Sequence, residues 1–198
     1  MVKAALISVS NKEGVIEFAR ELNRLGIKII STGNTAKLLS QNKIKVVSVS
    51  DVTKFPEMLD GRLKSLHPKI FGGILADRKN KNHMSELKKQ KIDTIDLVVV
   101  NFYPFEETIK KSKKLDDAIE NIDIGGPSLV RAAAKNNENA IVIVDPADYH
   151  KAIEKIKKGG FSSEDRLKLA AKAFSHTARY DTIISRHLNN LTGDKFSD

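Results

Sequence analysis

The chain has 198 residues, and 40% of them are hydrophobic, which is enough for one well-buried core with a small appendage. It contains no cysteine, so disulfides, thiol catalysis and cysteine-based zinc sites are excluded. Its formal net charge of +9 favours acidic partners, either nucleic acid or phosphorylated metabolites.

The distribution of the lysines argues against a nucleic-acid surface. Lysine-rich stretches at 88–91, 110–114 and 155–158 have Asp or Glu nearby, which is typical of a solvated surface. The few aromatic residues do not alternate with the lysines as a platform for single strands requires. The N-terminus turns polar too soon for a signal peptide, and no apolar run is long enough to span a membrane. We therefore expect a cytoplasmic protein without nucleic-acid or membrane partners.

Short apolar segments alternate with amphipathic ones along the chain. The predicted strands are residues 4–9, 27–31, 46–49, 97–101 and 140–144. The predicted helices are residues 15–25, 35–41, 83–90 and 146–158. This alternation indicates a doubly wound α/β domain with a mainly parallel sheet flanked by helices. In such a domain, ligands bind beyond the carboxyl ends of the strands.

The last part of the chain has a different pattern. Residues 163–191 predict one long helix, whose apolar stripe consists of Leu167, Ala170, Phe174, Ala178 and Ile184. We expect residues 1–160 to form the α/β core. Residues 161–198 are then a C-terminal helical extension and tail that pack on the core or on a partner subunit, with 192–198 as a frayed end or linker.

Two hydroxyl-rich loops follow the first two predicted strands. Residues 10–14, Ser-Asn-Lys-Glu-Gly, offer a hydroxyl, backbone amides and a lysine for a phosphate group. Ser10 and Glu13 also have the spacing of a capping box, so an ordinary helix start is an equal alternative. Residues 31–35, Ser-Thr-Gly-Asn-Thr, repeat the arrangement, and two such loops at neighbouring strand ends favour an anion site. Neither loop has the Walker or the dinucleotide-binding pattern.

Residues 62–69, Arg-Leu-Lys-Ser-Leu-His-Pro-Lys, concentrate cations in a segment without clear periodicity. Irregular segments of this kind often carry function. Arg62 offers a bidentate fork, and Lys64 offers a mobile point charge. His67 precedes a proline and is more often structural than catalytic in such a place. Because no other histidine stands at ligand spacing, we expect no metal site.

Residues 121–136 place Asp123 just ahead of a Gly-Gly-Pro that predicts a loop turning into a helix, with Pro127 in the first helical position. The backbone amides of such a helix start suit an anion or a developing oxyanion, although Asp123 is equally suited to capping the helix. Arg131 and Lys135 lie four residues apart on one face. Lys135 would ordinarily complement the helix dipole. Tyr103, just past the fourth strand, is suited either to proton transfer or to capping the core.

Together these motifs carry a resemblance that covers nearly the whole chain. They are S-V-S-N-K-E-G, S-T-G-N-T, F-P-E-M-L-D-G-R-L-K-S-L-H-P-K-I-F-G-G-I-L, N-F-Y-P-F, I-D-I-G-G-P-S-L-V-R-A-A-A-K-N and A-F-S-H-T-A-R-Y-D. The chain resembles the inosine monophosphate (IMP) cyclohydrolase domain, the N-terminal half of a bifunctional purine-biosynthesis enzyme whose other half is a folate-dependent transformylase.

The resemblance implies a methylglyoxal-synthase-like fold and a homodimer without metal or organic cofactor. It also implies dehydrative ring closure of 5-formamidoimidazole-4-carboxamide ribonucleotide to IMP. The transformylase half is absent from the resemblance, so the chain is either a free-standing cyclohydrolase or a fragment, with a separate or fused transformylase as partner.

The resemblance also assigns roles to residues of this chain. The positions around the 5′-phosphate are Ser10, Lys12, Thr32, Gly33, Asn34 and Thr35. The positions along the base or phosphate side are Arg62, Lys64 and Ser65, and those at the base are Asn101, Tyr103, Asp123, Ile124 and Gly125. The positions that match the family's catalytic residues are Lys64, Tyr103, Asp123 and Lys135.

For the chemistry, we expect Lys135 to act as acid and base, Lys64 to stabilise charge, and Tyr103 with Asp123 to relay the proton. In a straight helix from Pro127, Lys135 lies about 12 Å along the axis, so direct contact between Asp123 and Lys135 is not expected.

Three positions depart from the family pattern. Asn34 replaces a glycine, Ser65 replaces a threonine, and Phe71 replaces a histidine whose role cannot be carried over. Asn tolerates left-handed backbone angles and Ser keeps the hydroxyl, so the site is expected to survive the first two changes.

Three rival functions remain. A phosphate-ligand sensor like the regulatory domain of carbamoyl phosphate synthetase explains the phosphate loops but not the other motifs. Methylglyoxal synthase shares the fold, but its expected Asp–His pattern is missing. A nucleic-acid-binding protein explains only the charge.

Overall fold

A parallel sheet forms the centre of the molecule in the computed structural model, which describes residues 1–111 and 114–192. Residues 112–113 of the second lysine-rich stretch and residues 193–198 of the predicted tail lie outside the described residues. Within them the sheet has five strands in the order β3-β2-β1-β4-β5, and every pairing is parallel. The strands are β1 (Ala4–Val9), β2 (Lys28–Ser31), β3 (Val47–Ser48), β4 (Leu97–Asn101) and β5 (Ile141–Ile143). The predicted doubly wound α/β architecture is confirmed, and the sheet is wholly rather than mainly parallel.

Helices cover both faces of this sheet. They are α1 (Val15–Arg24), α2 (Gly33–Gln41), α3 (Val49–Thr53), α4 (Pro68–Leu75), α5 (Lys81–Lys89), α6 (Phe105–Lys111), α7 (Leu115–Glu120), α8 (Gly125–Lys135), α9 (Tyr149–Lys157) and α10 (Ser163–Thr192). Single 3₁₀ turns occur at Leu59–Gly61 and Pro146–Asp148. No helix among the described residues combines the length and the apolar character that crossing a membrane requires.

Alternating side chains of the strands divide the core into two layers. In β4, Leu97 and Val99 pack with α1, α2 and α9, while Val98 and Val100 pack with α4, α8 and α10. Successive side chains of a strand point to opposite faces, so a strand covered on both faces must be apolar throughout. This explains the almost continuous apolar run of β4, all of whose residues are buried.

The chain changes direction across the sheet at the central strand. From β1 it moves outward through β2 to β3, then returns to pair β4 on the other side of β1, with Val9 opposite Asn101. A crevice forms at such a switch point, beyond the carboxyl ends of the strands. The loops after β1, β2 and β4 therefore meet at one place.

Helix α10 packs on the core, but not through the predicted stripe. Its buried residues are Ala170, Ala173, Thr177 and Tyr180. Of the predicted stripe, Ala170 is buried and Ile184 packs at the edge of the core, whereas Leu167, Phe174 and Ala178 are exposed. Small side chains let α10 approach α8 closely, so the closest face is not the one with the largest apolar residues. Thr192, predicted to belong to the frayed end, is the last residue of the helix.

Candidate active site

The loop after β1 is held by Asn101, a buried asparagine at the end of the neighbouring strand β4. Asn101 Oδ1 accepts hydrogen bonds from the backbone nitrogens of Ser10 (2.6 Å) and Asn11 (2.8 Å), and its Nδ2 donates to Asn11 O at 3.1 Å. Glu13 N donates to Asn11 Oδ1 instead of to Ser10. The N-cap of α1 is Gly14, with φ of 64° and no side-chain cap. The alternative of a Ser10–Glu13 capping box is therefore wrong, and no side chain caps the start of α1.

Lys12 and Thr35 form the floor of the crevice. Thr35 is buried, and its hydroxyl donates to Val9 O at 3.1 Å. The Lys12 ammonium donates to Val9 O and, at 2.8 Å, to Thr35 Oγ1. Burial lowers the pKa of Lys12. Among the described residues, no carboxylate forms an ion pair with Lys12, so its charge is available to an anionic ligand.

The start of α2 borders the same floor. Its N-cap Thr32 shares a 2.7 Å hydrogen bond with Ser8 Oγ and makes no side-chain cap. Gly33 follows with φ of 40°, and a Cβ at this position would collide with the ammonium of Lys64. The glycine therefore allows Lys64 to approach the first turn of α2, where backbone N–H groups suit an anion.

The irregular segment before α4 supplies the opposite wall. Lys64 pairs with Glu57 at 2.7 Å, and Arg62 pairs with Glu120 of α7. Ser65 is buried, with its hydroxyl 3.0 Å from where a Cβ on Gly125 would stand. The segment thus packs directly against the start of α8.

His67 does not belong to this wall as a reactive group. It is the N-cap of α4, and its Nδ1 accepts a hydrogen bond from Lys69 N at 3.1 Å. This helix-capping contact favours the structural alternative for His67. Among the described residues there is no cluster of three potential metal ligands.

Asp123 is half-buried at the start of α8. Its Oδ1 accepts from Gly126 N at 2.8 Å, and its own backbone N–H donates to the hydroxyl of Tyr180 at 2.7 Å. Burial raises the pKa of Asp123, and hydrogen bonds from the backbone of Gly126 and Gly125 oppose that rise. The carboxyl group is therefore shifted toward the range in which it can exchange a proton near neutral pH.

This geometry corrects two expectations about the start of α8. The helix begins at Gly125, two residues earlier than predicted, so Pro127 is its third residue. The amides of Gly125 and Gly126 are engaged by Asp123 and are not free for an oxyanion. Asp123 thus both caps the helix and faces the crevice.

Two adjoining pockets make up the crevice and share Ser8, Thr32 and Asp123. The strand-end pocket is further lined by Val9, Ser10, Lys12, Asn34, Thr35, Asn101 and Tyr103. The α8 pocket is further lined by Gly61, Arg62, Lys64, Ser65, Ile119, Glu120, Ile122, Ile124, Gly125 and Gly126. Tyr103 and Ile124, 51% and 59% exposed, stand at the rims. With Gly33 at the junction, the structure brings together every predicted site residue except Lys135.

Lys135 lies at the other end of α8. It is exposed, and ten residues of helix separate it from Gly125, about 15 Å along the axis. The next residue, Asn136, donates to the carbonyls of Ile74 and Ala76 at 2.7 and 3.0 Å, at the C-terminal end of α4. Within one chain the rise of the helix therefore carries Lys135 away from the crevice, and its expected acid–base role stays a prediction.

Sequence reasoning overlooked three residues that touch the site. Ser8 is a hydroxyl within an apolar strand, a signal that was available. Glu57 precedes the predicted cationic segment by five residues, and it was given no role although it belongs to the F-P-E-M-L-D-G-R stretch. Tyr180 contacts Asp123 across 57 residues of sequence, which no local pattern reveals.

Two sequence profiles match the chain. The MGS-like domain matches residues 14–128, and the AICARFT/IMPCHase bienzyme matches residues 133–198. The chain belongs to the MGS-like domain family, and the predicted methylglyoxal-synthase-like fold is confirmed.

Individual proteins are similar to nearly the whole chain. The chain is 58% identical over 196 residues to the bifunctional purine biosynthesis protein PurH of Thermoanaerobacter sp. (strain X514), a match covering 96% of this chain and 39% of that protein. It is 53% identical to PurH of Bacillus subtilis (strain 168), covering 98% of this chain and 38% of that protein. The crystal structure of ForH superposes with a TM-score of 0.82 at 34% identity, covering 93% of this chain and 98% of that one. The chain thus spans about two fifths of the length of the curated relatives it matches.

Proposed function

We propose that the chain is an IMP cyclohydrolase that closes 5-formamidoimidazole-4-carboxamide ribonucleotide to IMP in purine biosynthesis. The observation that carries this proposal is the junction of the two pockets. One pocket holds the half-buried Lys12, which has no carboxylate partner among the described residues. The other holds Lys64, which pairs with Glu57, and Asp123 lines both pockets. The PurH relatives and the bienzyme profile support the choice of substrate.

The strand-end pocket suits the 5′-phosphate. The Lys12 ammonium, the open start of α2 and the hydroxyls of Ser10 and Thr32 are donors for a phosphate dianion. Asn101 acts here indirectly, because its amide holds the loop that carries Ser10. Bound in this way, the ribose would direct the base toward the α8 pocket.

The α8 pocket suits the ring-closing step. The carboxamide nitrogen attacks the formyl carbon, a C–N bond forms, and the formyl oxygen becomes an oxyanion. Lys64 stabilises that oxyanion, in place of the α8 amides that Asp123 occupies. The two reacting arms belong to one molecule, so holding them together supplies much of the acceleration.

Asp123 is the proton-transfer group in this proposal. Its ionised carboxylate accepts the amide proton and returns it to the oxyanion, which becomes a hydroxyl on the new ring carbon. The proton of the former formamido N–H then passes through the same carboxylate to that hydroxyl, which leaves as water as the C–O bond breaks and the ring C=N bond forms. Tyr103 at the rim orients the base and joins the relay. No electron is transferred, and the step requires no co-reactant. Lys135 is given no part in it.

Several finer points belong to the same proposal. The activity classifies the chain as a hydrolase acting on cyclic amidines, named for the reverse direction, and as a nucleotide-binding protein. We further propose a cytoplasmic homodimer that receives its formylated substrate from a transformylase, fused or separate. The division into a core of residues 1–160 and an extension of residues 161–198 also remains a proposal.

The decisive experiment is to mix the purified chain with the formamido ribonucleotide and to follow IMP formation. We expect turnover by the parent and at least a tenfold lower kcat for Lys64→Ala, equivalent to about 1.4 kcal/mol of barrier. Lys79→Ala is the matched control, because Lys79 is exposed and pairs with Glu138 outside the crevice. A folded parent that binds IMP without turnover would instead favour the phosphate-ligand sensor.

A further inference from the structure

The hydroxyl of Tyr180 links the C-terminal helix to the crevice. Tyr180 lies in the middle of α10, is buried, and accepts the hydrogen bond from the backbone nitrogen of Asp123 at 2.7 Å. The carboxylate of the same residue is held by Gly126 N. Both ends of Asp123 are therefore anchored, one by its own helix and the other by α10.

An aromatic cluster fixes Tyr180 in place. Its ring centroid lies 5.0 Å from that of Phe102 and 6.5 Å, edge-on, from that of Phe105. His176, one turn earlier on α10, also contacts Phe102, with ring centroids 4.4 Å apart and the rings tilted by 35°. Phe102 stands between Asn101 and Tyr103, so α10 packs beneath the segment that carries two of the predicted site residues. Tightly packed aromatic rings leave the hydroxyl little freedom to move away.

The contact between Tyr180 and Asp123 connects parts of the chain that match two different sequence profiles. The match to the MGS-like domain ends at residue 128, whereas α10 lies within the residues that match the bienzyme profile. The contact between Tyr180 and Asp123 therefore joins a crevice of the widespread fold to a helix outside that match. An interaction of this kind can adapt a shared crevice to one reaction.

We propose that Tyr180 is a positioning residue for ring closure, whose hydroxyl holds the Asp123 backbone so that the carboxylate faces the junction of the two pockets. The proposal rests on the proposed cyclohydrolase function. Without the hydroxyl, the Asp123 N–H has lost its acceptor in a partly buried place, and the residue turns toward water to regain one. The phosphate donors of the strand-end pocket do not touch Tyr180 and stay in place.

The test is Tyr180→Phe, which removes one oxygen and keeps the ring. We expect kcat to fall at least tenfold while KM and the affinity for IMP change by less than about threefold, because positioning affects the reaction and not phosphate binding. Tyr149→Phe is the matched control. Tyr149 is also buried, but it stacks on Phe18 in the opposite layer of the core, and its variant should keep the parent kcat.

A second measurement keeps this proposal separate from the proposed function. Backbone hydrogen exchange at residues 122–126 should accelerate at least tenfold in Tyr180→Phe relative to both the parent and Tyr149→Phe, whether or not the parent turns over. Unchanged exchange overturns the positioning role even if activity is lost. Unchanged kcat in an active parent also overturns it, as does a loss confined to KM. A parent without turnover overturns the proposed function, and this inference with it.

Discussion

Charged side chains are paired differently at the two edges of the sheet that are formed by the amino ends and by the carboxyl ends of the parallel strands. At the amino edge, the buried carboxylate of Asp96 accepts from the backbone nitrogens of Lys3 and Ala4 and pairs with Arg78 at 2.7 Å. At the carboxyl edge, Lys12 has no ion-pair partner in the described part of the chain, and Asp123 is held by backbone N–H groups. Removing one partner of a buried ion pair destabilises the fold, whereas a charged group without an ion-pair partner can bind a ligand.

Helix α8 runs between these edges and shows the same difference along its length. Its first turn, with Asp123 before it, borders the crevice, while the residues after its last turn close hydrogen bonds to Ile74 and Ala76. Two charged residues of one motif, Asp123 and Lys135, therefore belong to different environments. Residues at the carboxyl edge are thus expected to serve the reaction and residues at the amino edge to serve stability, and three substitutions test this difference.

The largest expected effect is on the reaction, from Asp123→Asn. Replacing the proton-transfer group should lower kcat by about 10²-fold or more. Folding should not suffer. A carboxyl whose pKa is raised in the folded state contributes stability at low pH and loses it as pH rises through the folded pKa, so a neutral amide at pH 7 is neutral or stabilising. Steady-state rates and urea unfolding measure the two effects. A kcat within about threefold of the parent would exclude Asp123 as the proton carrier.

The same shift predicts the pH dependence of the parent. Burial raises the pKa of Asp123 above 3.8, and the carboxylate is the active form, so the acid limb of the kcat profile should lie above that value. The limb should disappear in Asp123→Asn.

The next largest effect is on stability, from Asp96→Ala. Removing one member of a buried ion pair leaves Arg78 uncompensated, and the free energy of unfolding should fall by about 3–5 kcal/mol. The folded fraction should keep the parent kcat, since Asp96 lies at the edge away from the crevice. Urea unfolding with activity measured below the transition provides the test. A loss under about 1 kcal/mol would show that the amino edge does not depend on this pair.

The smallest effect is expected from Lys28→Ala, a control on exposed charge. Lys28 pairs with Asp93 at 3.2 Å, and both side chains are largely exposed. Exposed pairs contribute little because solvent screens them, so unfolding should change by less than about 1 kcal/mol and kcat should not change. An effect as large as that of Asp96→Ala would mean that burial does not explain the difference between these pairs.

Local patterns in the sequence were sufficient for the order of the strands along the chain and for the edge of the sheet at which the candidate site lies. The bounds of β1 and β4 were predicted correctly, because a strand buried on both faces leaves an apolar run that ends where the strand does. The residues after these strands that the sequence predicts for the site do line one pocket, and their roles there stay predictions. Parallel strands bring their carboxyl ends to one edge, so separate loops converge without any further information.

Long-range packing was the part that the sequence could not reveal. The buried face of α10 follows small residues, and the face with Leu167 and Phe174 is exposed, because close approach to α8 outweighs side-chain size. Likewise, the contact between Tyr180 and Asp123 depends on where α10 crosses the end of α8, which no periodicity encodes. The role of Lys135 stays a prediction, because the helical rise separates it from Gly125 within one chain and the sequence pattern already implied that separation.

The most direct test of a nucleotide site in this crevice is hydrogen exchange of the parent with and without IMP. We expect slower exchange at residues 10–14, 33–36, 64–66 and 123–126, all at the carboxyl edge, and no change around Asp96 or Lys135. Slower exchange confined to the groove between α9 and α10, which is lined by Lys151, Lys155 and Lys168, would contradict it.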